Sequence, residues 1–62
     1  MVNQHKQVKN AIIELEGEFG TTVKDIQKFT DLEKDQITFS LKYLLKKDQI
    51  YEPVEGRFKF LG

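Results

Sequence analysis

Apolar residues recur at helical spacing twice along this chain, and they alternate near its end. Val8, Ile12, Leu15 and Phe19 are separated by four, three and four positions, which on a helix makes one buried stripe. Asn3 stands where a side-chain oxygen can cap the first turn, and Lys6 and Lys9 fall on the solvent side. His5 lies roughly in line with the stripe. The helix is expected to stop between Gly17 and Gly20, since either glycine can take the left-handed conformation that ends a helix.

Thr21-Thr22-Val23 is a short β-prone piece. Thr22 and Asp25 have the spacing of a capping box, with Thr22 as the cap and Asp25 reaching back. They predict a short second helix from about Val23 to Phe29 that buries Val23, Ile26 and Phe29. Residues 30–33 form a turn in which Leu32 plugs the gap between two helices. A third helix is expected from about Lys34 to Lys47, with Ile37, Leu41, Leu44 and Leu45 as its core stripe. Lys46 and Lys47 suit the negative end of its dipole.

Two β-prone runs around a Pro/Gly turn follow, residues 49–52 and 57–61, and read as a hairpin. A three-residue loop at Val54, Glu55 and Gly56 puts Ile50, Phe58 and Phe60 on one face, with Tyr51, Arg57 and Lys59 on the other. A four-residue loop starting at Pro53 groups Ile50 with Lys59 instead. The first register buries more apolar area and is preferred. The expected fold is α+β and mainly α: one winged helix-turn-helix domain over residues 1–62, with three helices and a two-stranded C-terminal β-wing.

Composition narrows the function classes. No cysteine is present, so neither disulfides nor a thiolate metal site can form. A lone histidine does not complete a metal set, and no phosphate loop or nucleophile elbow occurs. We therefore expect no catalytic residues, metal or cofactor, and no small-molecule substrate. No apolar run approaches the roughly 20 residues of a membrane span, and the start at residues 1–5 lacks a secretion signal. A soluble, cytoplasmic protein is expected. Ten basic and ten acidic side chains cancel, so any affinity for nucleic acid must come from local patterning.

The segment from Leu41-x-x-Leu44 through Asp48-Gln49-Ile50-Tyr51-Glu52-Pro53 to Gly56-Arg57-Phe58-Lys59 resembles the end of many archaeal winged-helix domains. It is similar to the C-terminal winged helix of archaeal minichromosome-maintenance helicases and to that of the replication protein A middle subunit. In layout the resemblance covers nearly the whole chain; its specific residues lie mainly between Ile37 and Phe60. Domains of this type bind DNA, regulate an attached motor or dock partner proteins. In both groups the domain is a tail on a larger protein, so the chain is either an excised domain or a small independent relative.

That resemblance implies a DNA-associated module of replication or a related DNA transaction. In winged-helix DNA binders the third helix enters the major groove. Gln36, Thr38, Phe39, Lys42 and Lys46 are then the expected nucleic-acid contacts on that helix, with Arg57 and Lys59 of the wing on phosphate. Glu33, Asp35, Glu52 and Glu55 dilute the positive charge, so binding should be weak, salt-sensitive and mostly nonspecific. The alternative is a protein-docking or dimerising module that uses Phe39 and Tyr43, without a direct DNA role. Phe39 stands apart from the core stripe and has three readings: docking or self-association, stacking on a base, or packing against the wing or the N-terminal arm.

Overall fold

A computed structural model describes residues 3–61. Met1 and Val2 of the opening segment and Gly62 at the end of the expected 1–62 span lie outside the described residues. Three helices and an antiparallel hairpin follow in order: α1 (Gln4–Leu15), α2 (Val23–Thr30), α3 (Lys34–Lys46), β1 (Ile50–Val54) and β2 (Arg57–Phe60). This is the expected α+β, mainly helical arrangement of a winged helix. No described helix is long and apolar enough to cross a membrane.

Each helix has an identifiable start and stop. Asn3 Oδ1 accepts from the backbone N–H groups of His5 and Lys6, closing the first turn of α1. The helix ends at Leu15 because Gly17 turns left-handed, at φ +54°. Phe19 therefore belongs to the following loop and is 66% exposed, not part of the buried stripe; Ala11 joins Val8 and Ile12 in the core instead. Thr22 Oγ1 accepts from Asp25 N, the first half of the expected capping box, but the hydrogen bonds of the described residues do not include Asp25 reaching back.

On α2 only Ile26 is fully buried, and Phe29 is 54% exposed, against expectation. The inner face continues four residues on from Ile26, at half-buried Thr30, whose hydroxyl donates to Ile26 O. Phe29, three residues on, is left to one side. A capping pair that the sequence reading passed over starts α3: Gln36 Oε1 accepts from Glu33 N at 2.9 Å. The helix ends at Lys46 in a Schellman motif, with Gln49 N donating to Leu44 O, Asp48 N to Leu45 O, and Asp48 left-handed at φ 57°.

The hairpin pairs Ile50 with Phe60 and Tyr51 with Lys59, as the preferred register requires. Its tip differs. Val54 pairs with Arg57, so the loop is only Glu55-Gly56, and the extra residue is absorbed by a bulge between Tyr51 and Val54. Pro53 lies within that bulge and has no N–H to offer a regular ladder. Gly56 takes φ +85°, and its N–H donates to Glu52 Oε2. Ile50 and Phe58 are buried and Phe60 half-buried, so the hydrophobic face is the expected one.

Thr21 adds a one-residue third strand. Its N–H and C=O bond the C=O and N–H of Phe58 at 2.9 and 2.8 Å. The core unites Val8, Ala11 and Ile12 of α1, Ile26 of α2, Ile37, Leu41 and Leu44 of α3, and Ile50 and Phe58 of the hairpin. Val23, Leu32 and Leu45 pack against it half-buried. The described residues leave the outer side of α3 uncovered.

Candidate functional site

Helical spacing places Asp35, Phe39, Lys42 and Lys46 opposite the Ile37–Leu41–Leu44 stripe, and all four are exposed. Phe39 stands at the middle of this face and is 64% exposed. Thr38 is half-buried toward the other flank.

The N-terminal turn of α1 crosses the flank that carries Gln36, Ser40 and Tyr43. Ser40 is fully buried, and its Oγ accepts from Gln4 Nε2 at 2.9 Å and lies 2.9 Å from His5 Nδ1. These bonds hold the His5 ring against α3. It stacks on Tyr43 with centroids 4.1 Å apart and planes 6° from parallel, and it lies 5.7 Å from Phe39. Lys47 Nζ sits 5.8 Å from the Tyr43 ring centroid. Such stacking is worth about 0.5–1.5 kcal/mol per pair beyond the area buried. Of the three readings of Phe39, packing against the N-terminal arm describes one side of its ring; most of the ring remains open to solvent.

Three of the expected contact residues are committed to the fold. Gln36 caps α3 through its Oε1, and its Nε2 donates to Gln4 Oε1 at 3.3 Å. Arg57 Nη1 donates to Gly20 O at 2.9 Å. Lys59 Nζ donates to Gly17 O and Glu18 O at 3.0 and 3.2 Å. Those carbonyls lie at and just beyond the C-terminus of α1, where the helix dipole is negative and cations are held. Glu16 Oε1 completes the clasp by accepting from Phe60 N at 2.7 Å. The wing's cations thus fasten β2 to the end of α1, while the wing tip presents Glu52 and Glu55.

The basic side chains gather elsewhere. Lys42 and Lys46 follow Phe39 along α3, Lys47 reaches the Tyr43 ring, and Lys6 and Lys9 border the same region from α1. Lys6, Lys9 and Lys47 thus border the aromatic stack, and helical spacing sets Lys42 and Lys46 on the exposed face beside it, together with Asp35. The sequence reading named Phe39, Tyr43, Lys42 and Lys46 but missed His5, Lys6, Lys9 and Lys47 as members of one surface. The available signal was His5 in line with the apolar stripe of α1, facing two aromatics four residues apart on α3.

No group of three or more His, Cys, Asp or Glu side chains positioned to hold a metal occurs among the described residues. Compared with known proteins, the chain matches no family model, no curated protein and no solved structure.

Proposed function

We propose that this domain is a non-enzymatic module that binds nucleic acid weakly through the outer face of α3, flanked by the lysines at the start of α1. The observation that carries this reading is the clustering of Lys6, Lys9, Lys42, Lys46 and Lys47 around an exposed aromatic group in a chain of zero net charge. Phosphate attraction dominates such affinity, and aromatic faces add sequence-tolerant stacking. Phe39 offers an apolar ring to a thymine methyl in a major groove or to an unstacked base. The wing has a supporting role in this reading, because Arg57 and Lys59 already donate to backbone carbonyls. A role in replication or another DNA transaction rests on the winged-helix resemblance alone.

Fluorescence anisotropy with duplex and single-stranded DNA over a salt series tests the proposal. Each lysine–phosphate contact contributes about 0.9 to the slope of log K against log salt on a duplex. Replacing Lys42 and Lys46 together by alanine should flatten that slope by about 1.8. Absence of salt-sensitive binding by the unaltered protein at low salt overturns the reading.

A second reading, docking of a protein partner on Phe39 and Tyr43, is favoured by one specific observation: a phenylalanine 64% exposed at the middle of an uncovered helix face. It predicts capture that is insensitive to salt and lost in Phe39→Ala.

A further inference from the structure

Beside the α3 face, between the start of α1 and the end of α3, lies a groove of about 370 Å³. Its walls are Asn3, His5, Lys6 and Lys9 on one side and Tyr43, Leu44 and Gln49 on the other. The polar groups in these walls are unusually uniform once their internal hydrogen bonds are assigned. Asn3 Oδ1 is occupied by the His5 and Lys6 amides, which leaves the Nδ2 donor for anything in the groove. Ser40 Oγ accepts from Gln4 Nε2 and lies 2.9 Å from His5 Nδ1. In the tautomer whose Nδ1 accepts the Ser40 proton, the imidazole proton stands on Nε2 and His5 also meets a ligand as a donor. Lys6 and Lys9 can only donate, and Gln49 brings an amide.

Among the described residues, no carboxylate lines this groove. Asp48 lines the adjoining one, on the far side of Lys9 and Gln49. The first backbone amides of α1 are already capped by Asn3, so the donors that matter are side chains.

From this donor set we propose that the groove binds a phosphate group, with Lys6 and Lys9 supplying charge and Asn3, His5 and Gln49 supplying hydrogen bonds. Two cations and three neutral donors suit the charge and the several acceptor oxygens of a phosphate ester. The Tyr43 ring at the edge provides an apolar wall for the group that carries it. This site shares Lys6 and Lys9 with the proposed nucleic-acid surface but does not require Phe39, Lys42 or Lys46. Phosphate bound here would sit beside the aromatic stack, whether it comes from the end of a nucleic-acid strand or from a free nucleotide.

Inorganic phosphate is the first probe, followed by backbone and side-chain amide NMR at constant ionic strength with chloride as the control anion. The expected result is saturable shifts at Asn3, His5, Lys6, Lys9 and Gln49 with phosphate and not with chloride. Asn3→Asp keeps the capping oxygen but replaces the Nδ2 donor with negative charge. It should preserve the melting temperature and weaken phosphate binding at least about tenfold, one such factor being about 1.4 kcal/mol. Lys6→Ala with Lys9→Ala should do the same, and Lys6→Arg with Lys9→Arg should restore binding. Oligonucleotides with and without a 5′-phosphate, compared with a nucleoside monophosphate, then identify the source. Lys42→Ala with Lys46→Ala should leave the inorganic phosphate shifts intact, which separates this site from the α3 contact. Shifts equal for phosphate and chloride, or unaltered phosphate binding in Asn3→Asp, overturn the proposal.

Discussion

Substituting Gly20 tests whether the wing is held where this account needs it. Gly20 has φ +93°, and a Cβ built there falls 3.0 and 3.1 Å from the O and N of Phe58 and 3.2 Å from Lys59 Cγ. Phe58 is the residue whose two backbone hydrogen bonds to Thr21 tie β2 to the helical body, and Gly20 O accepts from Arg57. Gly20→Ala therefore strains the backbone by about 1–3 kcal/mol. It also pushes against a backbone that cannot move without weakening two hydrogen bonds, each worth about 0.5–1.5 kcal/mol. A loss near 3 kcal/mol follows. Gly17 provides the control. Its φ is +54°, but the nearest atom to an added Cβ is 3.9 Å away. Gly17→Ala should cost only about 0.5–1 kcal/mol, since the left-handed penalty is partly offset by a less flexible unfolded chain.

A domain of this length is stable by about 3–9 kcal/mol, and each kcal/mol moves its melting temperature by about 4–8 °C. Gly20→Ala should thus melt about 12–24 °C lower. Urea denaturation of the two variants beside the parent measures the difference directly. A Gly20→Ala loss no larger than that of Gly17→Ala would refute the close approach and, with it, the clasp between β2 and the end of α1.

Other expectations follow from the same contacts. Arg57→Met with Lys59→Met should lower stability by about 1–2 kcal/mol in urea titration, a discounted value because Arg57 is exposed. The same pair should flatten the DNA salt slope less than Lys42→Ala with Lys46→Ala; an equal or greater effect would return the wing to the contact surface. Phe39→Ala removes one side of the His5 contact and should cost about 1 kcal/mol in stability. If the ring stacks on a base, the same change weakens single-strand binding by about 1–3 kcal/mol, roughly 5- to 150-fold. Phe19→Ser and Phe29→Ser should each change stability by less than about 1 kcal/mol, because neither ring is in the core; a loss of 3 kcal/mol in either, read by thermal melting, would restore it to the interior.

Periodicity made the core legible, and tertiary contacts hid the site. Ile12, Ile37, Leu41 and Leu44 lie on stripes set by helix geometry, and the alternation of Ile50, Phe58 and Phe60 fixed the inner face of the hairpin. Phe19 and Phe29 have compatible spacing but lie past the end or beside the short buried face of their helices, where periodicity carries no information about coverage. The hairpin tip was misread because a bulge at Pro53 and a three-residue loop give the same pairing of Tyr51 with Lys59. The His5–Tyr43 stack, the Arg57 bond to Gly20 and the Lys59 bonds to Gly17 and Glu18 join residues more than 35 positions apart. No local pattern announces such pairs. They move the candidate surface off the wing and toward the start of α1.

An amide NMR titration with short duplex and single-stranded DNA at low salt tests most directly whether the uncovered face of α3 is the working surface. The account predicts shifts concentrated at Phe39, Lys42, Tyr43 and Lys46, with Lys6 and Lys9 beside them, fading as salt is raised. Shifts confined to Glu52–Arg57 at the wing tip, or no shifts with either DNA, would contradict it.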